Sequence, residues 1–196
     1  LEIQDKGGII LVMREINLIE FKTVRYKNFL STGQQFIEVP LNTGGTTLII
    51  GDNGSGKSTM LDALCFGLFN RPFRDIKKDQ IVNSINEKDC LVEIDLQIGS
   101  NNYTIKRGIK PAIFEIWCND KMLNQDAASK DYQKHLEDNI LRLNFRSFTQ
   151  VVILGSSSFV PFMRLRARHR RQVVEEILDI EIFSRMNLLL REKNKA

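Results

Sequence analysis

Residues 48 to 64, LIIGDNGSGKSTMLDAL, constrain the fold of this chain more than any other stretch. An apolar run ends at Gly51, the loop Asp52-Asn53-Gly54-Ser55-Gly56 follows, and Lys57-Ser58-Thr59 opens an apolar helix, giving the spacing GxxxxGK[ST]. Glycines lack a Cβ, so the loop is free to turn its backbone N–H groups inward around an anion, and the helix behind it adds its positive N-terminal end. Lys57 is placed to reach the β- and γ-phosphates of a nucleotide, and the Ser58 hydroxyl to ligate Mg²⁺. The expected phosphate site is therefore Gly51, Asp52, Asn53, Gly54, Ser55, Gly56, Lys57, Ser58 and Thr59. A buried strand over TTLIIG before the loop and a helix over Lys57 to Phe69 after it are the context such a loop requires. That helix is apolar nearly all round, which predicts sheet on more than one side of it, and Gly67, Asn70, Arg71 and Pro72 mark its end.

Around this unit the patterning is mostly that of strands. Ile16 to Phe29 changes parity between Phe21 and Val24, as a bulged strand does. QFIEVPL reads as a second strand, and CLVEIDLQI, NYTIKRG and AIFEIWC read as an antiparallel meander with turn residues at hairpin spacing. Ser129 to Leu143 has helical spacing, with Ser129 as a cap. FTQVVILG reads as a further strand, SSSFVPFMRL as a loop, and FRDIKK as a solvated loop. From Ala167 onward Val173, Val174, Ile177, Leu178, Ile182, Phe183, Met186 and Leu190 share one face of a helix that meets no stop signal, the pattern of a coiled-coil helix. LEIQDKGGIILV, ahead of Met13, is either an extension or a short extra strand.

No NKxD-type guanine reader is present, since WCNDK does not fit, so ATP is the expected nucleotide. With 42% hydrophobic and 27% charged residues in 196, the composition suits one globular domain, or one with an appended element, and its net charge of +4 permits contact with nucleic acid without demanding it. Three cysteines with no CxxC spacing and no secretory signal read as reduced thiols of a cytoplasmic protein, in the host cell if the chain is viral. No apolar run reaches the roughly 18 to 20 residues of a membrane span. His135 and His169 have no carboxylate or cysteine cluster beside them, so no metal-dependent nuclease centre is expected, and His135 reads as a surface residue of its helix.

VRYKNFLSTG, GDNGSGKSTMLDALCFGLF and FTQVVILGSSSFVPFMRL, together with RRQVVEEILDI, resemble the N-terminal half of an SbcC-type ATPase. That family is the SMC-like ABC subunit of double-strand-break repair nucleases, and RPFRDIKK at 71 to 78 is similar to its phage recombination-endonuclease branch. The resemblance implies an α/β fold: the N-terminal part of an ABC-type P-loop NTPase head, with an antiparallel β layer and a C-terminal helix that starts a coiled coil. It divides the chain into a possible extension at 1–12, head at 13–166 and coiled-coil root at 167–196. The signature motif and Walker B carboxylates lie in the other half of such a head and are not recognisable here. LVEID reads as a plain edge or meander strand, and catalytic residues are expected outside this half. Implied partners are the C-terminal half of the same head, a second head in a homodimer, a nuclease subunit and double-stranded DNA, without a membrane. The alternatives are an SMC-, RecN- or RecF-like DNA-binding ATPase without a nuclease, and a stand-alone P-loop kinase whose arginine lid would have to come from residues 164 to 171.

Two positions depart from the family. Where relatives carry an arginine after NF this chain has Leu30, leaving Asn28, Ser31 and Thr32 as the residues adjacent to the nucleotide. Where relatives carry a metal-contacting glutamine it has Ser156, with Gln150 as the rival Mg²⁺ ligand. Arg164, Arg166, Arg168, Arg170 and Arg171 read either as phosphate contacts to duplex DNA or as a solvated helix start with Arg171 paired to Glu175.

Overall fold

The computed structural model describes residues 18–123, 129–153 and 162–178, with the isolated helical positions 186, 187, 190, 191 and 193. Strands β1 (Ile19–Lys27), β2 (Ile37–Pro40), β3 (Cys90–Ile98), β4 (Asn101–Ile109), β5 (Ile113–Cys118) and β6 (Lys121–Met122) form one antiparallel sheet in the order β2-β1-β3-β4-β5-β6. The expected bulge lies in β1, where the pairing with β3 slips between Phe21 and Thr23. An extra residue there flips the inward parity, so Phe21 and Val24 both pack on the core. The LVEID segment is part of β3, in the middle of the sheet, with Asp95 accepting a hydrogen bond from Thr104 Oγ1 at 2.6 Å.

Helix α1 (Lys57–Phe69) crosses β1, β3 and β4. Its sheet side meets Val24, Val92, Ile94 and Ile105, all fully buried. The approach is close at Gly67, where an added Cβ would overlap Ile94 Cδ1 and lie 3.2 Å from Val92 Cγ1. Gly67 is thus a packing residue, and the helix ends at Asn70, whose φ of 58° turns the chain while its N–H donates to Phe66 O at 2.9 Å. Among the described residues the rest of α1 is covered by aromatic rings and not by a second sheet: Phe29 lies on Phe66 at 5.6 Å, and Phe145 and Phe148 on Phe69 at 5.8 and 5.2 Å. Burying each such ring contributes about 1.5–3 kcal/mol.

Helix α2 (Ser129–His135) starts on Ser129 itself, runs into a π-helical turn at Leu136–Leu141, and stops where Arg142 takes φ 53°, short of Leu143. The π turn keeps Leu136, Ile140 and Leu141 on the buried side. His135 is exposed and hydrogen-bonds Asn139 at 2.8 Å.

Three expectations are corrected. FTQVVI, the described part of FTQVVILG, is not a strand. Residues up to Val151 belong to helix α3 (Phe145–Val151), capped by Asn144, whose side chain accepts from Ser147 N at 3.0 Å. Helical spacing puts both Phe145 and Phe148 on Phe69, and that packing outweighs the strand preference of the valines. TTLIIG is neither buried nor paired: Leu48 and Ile50 are 80% and 83% exposed. A strand of this type is enclosed by neighbours on both edges, and none of the described strands lies beside it. FRDIKK is not merely solvated, because Arg74 is tied to Asp62 of α1, and Phe73 and Ile76 pack on the core.

Helix α4 (Ala167–Ile177) contacts α3 and buries Val173, while Val174, Leu178, Met186 and Leu190 remain exposed on the expected face. Ile182, Phe183, Ser156 and the segment before Met13 lie outside the described residues. No described helix is long and apolar enough to cross a membrane.

Candidate phosphate-binding site

The loop geometry follows from its glycines. Gly54 and Gly56 have φ of 88° and 93°, which L side chains avoid, and a Cβ on Gly51 would stand 2.6 Å from Ser55 Oγ. Ser55 N donates to Asp52 O at 3.2 Å and Thr59 N to Gly56 O at 2.9 Å, closing the turn on either side of Gly56. Gly56 is the N-cap of α1 and supplies no side-chain acceptor, so among the described residues no side chain caps the positive end of the helix. Asp52, Asn53, Gly54, Ser55 and Ser58 are exposed, whereas Thr59 is buried. The Lys57 ammonium folds back over the loop and donates to Gly51 O and Asp52 O at 2.5 and 2.6 Å. A cation, a helix N-terminus and a concave glycine turn thus converge, with the Ser58 hydroxyl at the rim. This donor set fits a phosphate chain with an Mg²⁺ ion.

The residues after β1 form a second feature. Asn28, at φ 49°, bonds Gly33 O through its N–H and accepts from Asn86 Nδ2 at 2.8 Å. Thr32 Oγ1 donates to Phe29 O and accepts from Phe29 N at 2.7 and 3.0 Å. Both side chains are buried and engaged with protein, while Ser31 is exposed. Leu30 N donates to Ile81 O at 2.6 Å, and Asn83 binds back to Asn28 O and Leu30 O at 2.9 and 3.1 Å. Leu30 and Ser31 thus line a cleft of about 550 Å³ together with Asp79, Gln80, Val82 and Asn83.

The Mg²⁺ candidates divide. Gln150 is on α3 rather than in a strand, and its Oε1 is buried without a hydrogen-bond partner among the described residues. Ser156 lies outside them. Among the described residues no group of three His, Cys, Asp or Glu is arranged to hold a metal ion. Cys65, Cys90 and Cys118 are free thiols, and burial pushes Cys90 up to about 12 and Cys65 higher still.

Of the arginine run, Arg164, Arg166, Arg168 and Arg171 are exposed. Arg171 meets Glu175 at 3.5 Å, and Arg170 donates to Met163 O and Leu165 O at 2.9 and 3.0 Å, closing the entry to α4. Two polar features were missed in the sequence, the Asn28–Asn83–Asn86 network and the Asp62–Arg74 pair. Asp62 carried a signal: after Lys57 it is the one charged residue in an otherwise apolar helix.

Three comparisons frame this geometry. Exonuclease subunit 2 of Enterobacteria phage T4 is 46% identical over 173 residues, covering 88% of this chain and 30% of the phage protein. The DNA double-strand break repair Rad50 ATPase of Thermoplasma volcanium is 27% identical, over 86% of this chain and 19% of that protein. The chain thus spans less than a third of the length of these relatives. Among solved structures, the Smc head domain with an extended coiled coil from Pyrococcus furiosus superposes with a TM-score of 0.66 at 20% identity, covering 91% of this chain and 46% of that one. That likeness establishes the head fold, an antiparallel sheet on a P-loop helix. The AAA domain profile matches residues 23–196, and with so much of its length matched this chain belongs to the AAA domain family.

Proposed function

We propose that the chain is the ATP-binding part of an SMC-like ABC ATPase that gates a nuclease in DNA double-strand-break repair or recombination. The observation that carries this reading is the Gly51–Thr59 turn on a helix N-terminus that no described side chain caps, in a chain 46% identical to a phage exonuclease subunit. In this reading the backbone N–H groups of Asn53 to Thr59 hold the phosphate chain of ATP. Lys57 exchanges its two loop carbonyls for the β- and γ-phosphates, and the Ser58 hydroxyl takes a place on Mg²⁺. The ion, when bound, neutralises charge on the β- and γ-oxygens. Leu30 and Ser31 border the base side, and the cleft beneath them receives the nucleoside.

Groups that activate water and stabilise the transition state are supplied by the C-terminal half of the head and by a second head docking in trans. Closure of the pair clamps duplex DNA at the arginine-rich root of α4, and hydrolysis releases it. The exposed apolar run Leu48–Ile50 and the exposed face of α4 support such completion by further strands and an antiparallel helix.

The test is a titration with a fluorescent ATP analogue and Mg²⁺, followed by ATP turnover with the C-terminal half of a full-length relative supplied in trans. Binding that Lys57→Ala abolishes, with turnover only when both halves are present, supports the reading. Lys57-dependent turnover by this chain alone overturns the split site. Duplex cleavage stimulated by a co-purifying nuclease separates this function from that of an SMC-type module.

A further inference from the structure

We propose that Asp62 and Arg74 form a positioning pair that fixes the distance between the phosphate loop and the cleft below Leu30 and Ser31, and so makes the site prefer a nucleoside triphosphate over a bare triphosphate. The inference rests on the reading that this cleft takes the nucleoside.

Asp62 lies one helical turn beyond Ser58, and its side chain is fully buried. Both of its oxygens are used by one residue. Oδ1 accepts from the backbone N–H of Arg74 at 2.9 Å, and Oδ2 accepts from Arg74 Nε at 2.7 Å and faces Nη2 at 2.5 Å. A backbone contact combined with a two-pronged guanidinium contact fixes the segment in both position and orientation, which a lysine at 74 does not reproduce.

Stability alone does not account for the arrangement, because replacing a buried ion pair with apolar side chains of similar size is often neutral or stabilising. The pair also joins two parts of one site. From Arg74 the chain is tied at each step: Ile76 N donates to Arg74 O at 2.9 Å, and Gln80 N to Lys77 O at 2.9 Å across the 3₁₀ turn Lys78–Gln80. Ile81 O then accepts from Leu30 N, and Val82 bridges Phe29. Asp79, Gln80, Val82 and Asn83, which line the cleft together with Leu30 and Ser31, are thus tied to α1 through the Asp62 carboxylate, beside the Phe29–Phe66 contact. The cleft offers the apolar Leu30 and Val82 beside the polar Ser31, Asp79 and Gln80, a mixture suited to a base with its sugar.

The experiment measures affinity of the full head for ATP and for inorganic tripolyphosphate, in the wild type, Arg74→Lys and Asp62→Asn, with urea midpoints recorded alongside. Arg74→Lys keeps a cation beside Asp62 and so preserves the fold while losing the fork. The expected result is a loss of ATP affinity of about tenfold with tripolyphosphate binding unchanged, the size of one charged hydrogen bond. Equal losses for both ligands, or unchanged ATP affinity in folded Arg74→Lys, overturn the pair's role. A wild type that binds ATP no tighter than tripolyphosphate overturns instead the nucleoside reading of the cleft, and a wild type that binds neither overturns the proposed function.

Discussion

Arg107 of β4 donates its Nε–H to the carbonyl oxygen of Gly67, in the last turn of α1, at 2.9 Å. Its Nη2 reaches Gln133 Oε1 at 2.6 Å, and Gln133 in turn donates to Leu68 O at 2.9 Å and to Glu137 at 2.7 Å. The guanidinium lies 3.7 Å over the Phe114 ring and is 5% exposed. Burial lowers its pKa to about 9, opposed by Glu137, and leaves it charged at neutral pH, where a cation suits the negative end of a helix. The helix whose N-terminal end carries the glycine loop is thereby anchored at its other end by β4 and α2.

Arg107→Met is expected to destabilise the fold by about 2 kcal/mol, because it leaves Gly67 O and Gln133 Oε1 without the Arg107 donors. Urea unfolding followed by circular dichroism checks this, and the loss should appear in the midpoint with an unchanged slope.

Gly67→Ala places a methyl against Ile94 Cδ1 and Val92 Cγ1. Overpacking of this kind costs about 1–3 kcal/mol. Ile94→Val removes the clashing Cδ1, so the double variant should recover much of the loss, and a double-mutant cycle on thermal midpoints reads the coupling.

Burial holds the Cys90 thiol protonated up to about 12, against an ordinary value of 9.0. A group whose pKa is raised by folding contributes stability that is fully present below the unfolded pKa and is lost as pH rises through the folded one. Stability is therefore expected to fall between pH 9 and pH 12, by about 1.4 kcal/mol per pH unit for such a thiol. Urea midpoints across that window should decline less steeply in Cys90→Ala.

The Arg171–Glu175 pair is exposed on the arginine side and worth only a few tenths of a kcal/mol. Arg171→Ala should leave the melting temperature within about 1 °C. If the run contacts duplex DNA, replacing Arg164 and Arg168 with alanine reduces the slope of log affinity against log salt by about 0.9 per lost phosphate contact. Fluorescence anisotropy at several salt concentrations measures this slope, and an unchanged slope removes these residues from the DNA interface.

The glycine loop, the helix behind it, the bulged first strand and the meander were legible in the sequence because each depends on local rules: glycine φ, alternation and turn residues. The strand expected over Phe148–Gly155 failed in its described part because Val151, Val152 and Ile153 carry strand propensity, while the Asn144 cap and the Phe148–Phe69 contact act through the tertiary fold. TTLIIG reads as buried because its composition records an environment that the described residues do not supply. Asp62 was visible as an odd charge, but its partner, twelve residues away in what reads as a loop, was not. Ser31, Asn28 and Thr32 fall in one turn, yet their division into one exposed hydroxyl and two buried structural side chains depends on the 81–86 segment that folds against them.

The run from Leu48 to Ile50 delivers the chain directly into Gly51 with no described strand hydrogen-bonded to it. Under the proposed function, a strand that pairs with that run also stiffens the glycine turn, so strand docking and nucleotide capture become one thermodynamic event. On that reading nucleotide affinity serves as a gauge of assembly, rising when further strands pair with this run.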